Sequence, residues 1–334
     1  ILAELLVATI AKTVKEIAKK AVENSLPMLA APVGDEFDFA TTKNDFVLYE
    51  NLKVLDGFVP SPYDRLKTIK PFVLDNSIRE STVAQSRGHV KEDKYSILRA
   101  VEELGFENII VASFGELPQV EDEWLGELND QGMMKPSFFC FSEMFDRVED
   151  GQPSADCPLG IFKMIKYNFH NVIIEMDVDH KLFTETANAE DGAPVSAGQG
   201  NWTFQQHCAL LRQRIEMVKH EISESSIIFV NFRDAAAAYA HSDAGARRLI
   251  TLVCFLARLP LALRPNGILF EEPMGDVFPW RIRDVCRCIR HAMDVNRWED
   301  GELLFHIHKN FGMAEAVVQE ALAHGATGVW TGVS

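Results

Sequence analysis

No stretch of the 334-residue chain approaches the ~20 uninterrupted apolar residues of a membrane span, so the sequence predicts no transmembrane segment. Cysteine is scarce: six residues, at 140, 157, 208, 254, 286 and 288, lie too far apart in a chain of this size to form a disulfide framework. They read as reduced thiols, which predicts an intracellular compartment, cytosol or organelle matrix. Basic residues are outnumbered, with 33 Lys and Arg against 49 Asp and Glu and a formal charge of -16. A field of that sign repels phosphate backbones and anionic headgroups, so no nucleic-acid partner is expected. A Gly-x-Gly-x-x-Gly turn after the first strand-like run is also missing, which leaves the open doubly wound sheet as the second choice of fold. What is there is a core-forming composition, 47% hydrophobic and 25% charged, which argues against intrinsic disorder and for a soluble globular chain.

Residues 1–24 place Leu2, Leu6, Ile10, Val14, Ile17 and Val22 at helical spacing with Lys12, Lys15, Lys19 and Lys20 between them. That pattern predicts an amphipathic helix, packed on its own domain, docking a partner or lying on a membrane surface. Residues 25–70 read as an irregular extension, so the chain divides into an N-terminal extension, 1–70, and a barrel domain, 71–334. From Phe72 onward, apolar runs recur at 72–78, 108–114, 136–141, 171–176, 226–232, 267–271, 302–307 and 327–333. Helical stretches separate them at 91–104, 120–130, 157–168, 203–222, 243–259, 280–293 and 313–324. Eight short strands alternating with helices predict parallel β/α units and a (β/α)8 barrel. The eighth outer helix has no counterpart before Ser334, so a truncated C-terminus is expected. The polar stretch 184–201 reads as a surface loop, and Asn201-Trp202-Thr203 as a chance sequon.

In such a barrel, polar side chains at the C-terminal strand ends are the candidates for chemistry. His306-Ile307-His308 closes the seventh run, and residues two apart on a strand share a face, so both imidazoles can converge on one metal ion. A pair of core or surface histidines is the blander reading. Arg79-Glu80 is expected at the end of the first strand, two strands from the histidines around a closed barrel. Glu80 would then complete a metal site suited to Mg, Mn, Zn or Fe(II), and Arg79 would steady an enolate or polarise a carbonyl. The alternative is a structural ion pair on the rim. Asn231 and Arg233 end the fifth strand and could touch an anionic substrate, and Glu272 and Lys309 are further candidates for substrate binding. Asp177 is a weaker candidate for pocket entry. Cys286 and Cys288 lie two apart in a helical stretch and do not face each other.

Residues 72–105 (FVLDNSIRESTVAQSRGHVKEDKYSILRAVEELG) resemble the opening strand and helix of the metal-dependent barrel superfamily of 3-hydroxy-3-methylglutaryl-CoA lyase, isopropylmalate synthase and homocitrate synthase. Residues 306–327 (HIHKNFGMAEAVVQEALAHGAT) are similar to its seventh-strand His-x-His segment, and 268–279 (ILFEEPMGDVFP) to its sixth strand. The resemblance implies a divalent cation on Glu80, His306 and His308, with Arg79 at the enolate. It implies an enzyme that makes or breaks a carbon–carbon bond in a 2-oxo or 3-hydroxy acid, as a lyase or acyl-CoA condensing enzyme, with a small carboxylate or acyl-CoA as substrate. The chain departs from the pattern at several points. Glu80 stands for Asp, Ser81-Thr82-Val83 for Gly-x-Gln, Ile110 or Val111 for a second-strand acid, Glu272-Pro273 for Asp-Thr, and Lys309 for Asn or Asp. Those departures favour the alternative of a non-catalytic barrel in a larger assembly, docked through the N-terminal helix. A metal-dependent aldolase or biotin-linked carboxyltransferase is a third reading and needs a barrel lysine.

Overall fold

The computed structural model describes residues 62–80, 89–114, 120–144, 148–149, 152–153, 157–178, 204–308 and 311–332. The predicted N-terminal helix, the 184–201 stretch and Lys309 lie outside them, as does the side chain of Glu80. Eight parallel strands close into a barrel: β1 (Phe72–Asp75), β2 (Asn108–Ser113), β3 (Phe138–Glu143), β4 (Asn171–Met176), β5 (Ile228–Phe232), β6 (Gly267–Glu272), β7 (Glu302–Ile307) and β8 (Gly328–Thr331). Each pairs with its neighbours in chain order, and β8 returns to β1. All eight predicted runs are strands. The second choice, an open sheet, is overturned by the closing β1–β8 ladder, Phe72 to Gly328 through Asp75 to Thr331. Gly328 permits that closure, because a Cβ there would stand 2.0 Å from the Phe72 carbonyl oxygen.

The strands read as continuous apolar runs because both faces are covered. β4 is buried at all six positions. Its inner face joins one residue or more from every strand into a cylinder core: Leu74, Ile110, Phe139, Phe141, Ile173, Phe229, Leu269, Leu304 and Trp330. The outer face packs against helices α2 (Lys91–Glu103), α3 (Val120–Asp130), α4 (Leu159–Lys166), α5 (Phe204–Glu221), α7 (Asp243–Ala257), α8 (Pro279–Val295) and α9 (Ala314–Ala323). Ahead of β1, a 3-10 helix at Pro62–Lys67 docks on α9. Tyr63 donates to Glu320, and Arg65 donates to the Leu322 carbonyl and, at 2.7 Å, to that of Ala326. The last part of the predicted irregular extension is thus fastened to the barrel wall.

Two short helices depart from the predicted pattern. Ala235–His241 forms α6, ahead of α7. More consequential is α1 (Ser77–Glu80), where the first strand was expected to continue. β1 stops at Asp75 because that carboxylate accepts from the Ser77 amide and hydroxyl, both at 3.0 Å. A side chain that satisfies the first free N–H groups starts a helix and ends the strand. Arg79 and Glu80 therefore belong to a helical turn just above β1.

Candidate active site

The alternation of β-strands settles which side chains reach the mouth. Two residues beyond Ile173, Phe229, Leu269 and Leu304 of the cylinder core stand Glu175, Asn231, Glu271 and His306, on the same inner face. They form the layer above that core, at the C-terminal strand ends.

His306 is buried, and its Nδ1 lies 2.9 Å from the Trp330 carbonyl oxygen. A carbonyl only accepts, so Nδ1 carries the proton and Nε2 keeps its lone pair. Burial lowers the His306 pKa to about 4; the Trp330 bond opposes that shift, and His308 and Arg79 add to it. The imidazole is therefore neutral at pH 7. Its ring stacks on the Trp330 indole at 4.2 Å and meets His308 edge-on at 5.0 Å. The Arg79 guanidinium sits 4.9 Å from the centre of the Phe141 ring, and Phe141 lies 5.7 Å from Trp330. The structure thus brings Arg79, Phe141, Trp330 and the two histidines into one connected cluster.

The opposite wall is acidic. Asn231 Nδ2 donates to Glu175 at 3.2 Å and to Glu271 at 3.4 Å. Glu175 is fully buried, and burial raises its pKa, helped by Glu143 and opposed by Arg233, Arg79 and Asn231. Burial, then repulsion by Glu175, pushes Glu271 up to about 8 against the pull of Arg79, Asn231 and Arg233. Arg233 holds Asp177 with two nitrogens, at 2.9 and 3.2 Å, and Glu143 with a third at 2.6 Å. Desolvation works to lower its pKa, but Glu143, Glu175 and Asp177 together raise it. It ties the ends of β3 and β4 to the turn after β5. Glu272 faces elsewhere: one oxygen accepts from the Met274 amide at 3.1 Å, shaping the turn after β6. The acid beside Asn231 in the mouth is its neighbour Glu271. Sequence reasoning named neither Glu271 nor Glu175; counting by twos reaches both only once the closed barrel shows which residues face inward.

The raised Glu271 pKa sets a pH dependence. A carboxyl whose folded pKa exceeds its unfolded value of 4.5 stabilises the fold fully below that value. The contribution falls as pH rises and is gone above about 8. Glu271→Gln, which is always neutral, should match the wild type in thermal midpoint at pH 5 and melt higher at pH 9. Parallel curves for the two proteins across pH 5–9 would refute the assignment.

Two adjacent imidazoles, one with its tautomer fixed by a second partner, fit a divalent cation. Among the described residues no group of three or more His, Cys, Asp or Glu side chains forms a metal cage. His306 and His308 are the two described donors, and a third would come from Glu80.

Fold and mouth together define a closed parallel α/β barrel with a polar, histidine-bearing site at the strand C-termini. Comparison with solved structures gives the same class. The hydroxymethylglutaryl-CoA lyase of Pseudomonas aeruginosa superposes with a TM-score of 0.55 at 13% identity, over 79% of this chain and 76% of that one. An HMG-CoA lyase from Acinetobacter baumannii, in complex with coenzyme A and 3-methylmalate, gives 0.54 at 14% identity, over 79% and 74%. The carboxyl transferase domain of Rhizobium etli pyruvate carboxylase, with 3-bromopyruvate, gives 0.51 at 13% identity, over 84% of this chain but 43% of that structure. These likenesses establish a shared fold, and the resemblance read from the sequence holds at that level. No protein-family model matches the sequence, and no curated protein matches it. Among the described residues no helix is long and apolar enough to cross a membrane.

Proposed function

We propose that the chain is a divalent-metal-dependent enzyme that makes or breaks a carbon–carbon bond next to a carbonyl, as a lyase or an acyl-CoA condensing enzyme. The observation that carries this reading is the His306 imidazole, held neutral by burial and in one tautomer by the Trp330 carbonyl, with its other nitrogen available beside His308. His306, His308 and Glu80 would hold Mg, Mn or Zn, which when bound supplies a Lewis acid for the oxygens of a 2-oxo or 3-hydroxy acid. Arg79 offers a fixed positive charge in a partly buried setting, where charge developing on an enolate oxygen is stabilised most. Glu271, protonated over much of the neutral range, can give a proton to a carbanionic carbon. Arg233, paired with Asp177 and Glu143, organises the strand ends; Glu272 and Lys309 remain candidates for the rim of the substrate site. The fold likeness and the Arg79 guanidinium support a carboxylate or acyl-CoA substrate class.

Metal analysis of purified full-length protein tests the reading. One ion per chain is expected, lost in His306→Ala/His308→Ala with a fall in melting temperature. Metal-free wild-type protein, with the variant melting at the same temperature, would favour the second reading, a non-catalytic barrel in an assembly.

A further inference from the structure

We propose that an apolar rim beside the histidines, formed by Met274, Phe278, Trp280 and Phe311, binds an aliphatic chain of the substrate, so that the enzyme acts on an acid or acyl thioester carrying a chain of several carbons. The inference rests on the mouth being the active site and narrows its substrate class.

The barrel places this rim. β6 and β7 are neighbours, with Glu271 opposite His306 and Glu272 opposite Ile307, so the turns that follow them leave the mouth side by side. The His308 amide donates to the Glu272 carbonyl at 3.4 Å, and the Glu272 carboxylate accepts from the Met274 amide at 3.1 Å. Met274 is thereby tied to the strand end that carries the histidines. Gly275, at a φ of 69°, turns the chain sharply. Phe278 and Trp280 follow at the start of α8, with Pro279 fixing the backbone between them. Their rings stack at 4.5 Å, within 6° of parallel, and make one flat apolar wall. Phe311 lies in the turn after β7, just beyond His308.

All four side chains stand in water: Met274 is 62% exposed, Phe278 and Trp280 50% each, and Phe311 67%. Single exposed apolar residues are ordinary, but several on one rim mark a surface that something covers. At the usual size of such side chains the four offer roughly 350–550 Å². A stable dimer buries about 800 Å² on each partner, which is more than this rim supplies. The formal charge of -16 opposes an anionic membrane surface. An aliphatic chain matches the area, and the rim is continuous with the mouth through Glu272 and Met274. The same charge gives such a chain a purpose. The protein's field opposes an anionic head group, whereas apolar burial is indifferent to charge and supplies the missing affinity. The head group meets Arg79 and the histidines while the chain runs outward over the rim.

Calorimetric titration of the full chain with pyruvate, 2-oxohexanoate and 2-oxooctanoate, and with acetyl-CoA beside octanoyl-CoA, tests this directly. A fully buried methylene adds about fourfold in affinity, so a half-open rim should give about twofold per methylene in at least one series. From pyruvate to 2-oxooctanoate that is a gain of roughly thirtyfold. In Phe278→Ser/Trp280→Ser the gain should fall below about fivefold. Phe311→Ser leaves α8 untouched and should also reduce it, so the test stays decisive if the double variant does not fold. Affinity independent of chain length in both series, absence of binding throughout, or a gain unchanged in both variants would each overturn the proposal. A flat series with wild-type protein, but not the double variant, dimerising in sedimentation or binding phosphatidylcholine vesicles would assign the rim to a second copy or a membrane, and overturn it too. A flat series with the His306/His308-dependent ion intact leaves the carbon–carbon reading standing. Chain-length dependence in a metal-free protein would keep the rim and remove that reading.

Discussion

Lys94→Met should destabilise the protein by about 3–5 kcal/mol, the usual cost of stranding one charge of a buried pair. Lys94 and Glu121 lie 3.3 Å apart, and both side chains are almost fully buried between α2 and α3. The lysine also donates to the Ile78 carbonyl of α1 at 3.3 Å and stands 5.8 Å from the Trp124 ring centre. Removing the amine leaves a buried carboxylate and an α1 carbonyl without that donor. The double variant Lys94→Met/Glu121→Leu should recover most of the loss, since two apolar groups of similar volume no longer need each other's charge. Urea denaturation of the three proteins measures both effects. A single variant within about 1 kcal/mol of wild type would mean that the pair is hydrated in solution. Because Ile78 precedes Arg79, the single variant is also expected to weaken oxo-acid binding beyond what the double variant shows.

Trp330→Ala is the second large effect, again about 3–5 kcal/mol, as for deletion of a large buried aromatic. Trp330 is among the largest fully buried side chains, and it fills the cylinder beneath the mouth between Phe141 and His306. The described neighbours Phe141 and His306 are strand residues fixed by the closed ladder, which limits collapse into the space. Trp330→Phe keeps a ring against His306 and should lose clearly less. The bond that sets the His306 tautomer uses the backbone carbonyl of residue 330, which both variants retain. Trp330→Phe should therefore keep whatever metal the wild type is found to bind. Metal content measured beside thermal melting separates packing from ligand orientation, and loss of the ion from the well-folded phenylalanine variant would contradict this account.

Counting by twos explains how much of the site could be read in advance. The eight runs and the pairing of His306 with His308 follow from local patterning, because a strand buried on both faces must be apolar throughout and its end must turn polar at the mouth. The same patterning cannot say which of two adjacent glutamates, 271 or 272, looks inward, since both end one run. Only the register against β5 and β7 decides, by setting Glu271 opposite His306 and near Asn231. Arg79 was legible as a strand-end cation, but not its helical turn. That turn depends on how the Asp75 carboxylate folds back onto Ser77. Glu175 was hidden inside an apolar run, where burial rather than sequence context gives it its character.

The sequence by itself determined the barrel, since eight buried runs of strand length with helices between them have few ways to cover both faces of a sheet. It also determined that two imidazoles would share one strand end. The tertiary structure decided the mouth's chemistry. Closing the sheet brings strands far apart in the chain to one rim, and only there do Arg79, Asn231, Glu175 and Glu271 acquire the neighbours that set their charge and hydrogen bonds.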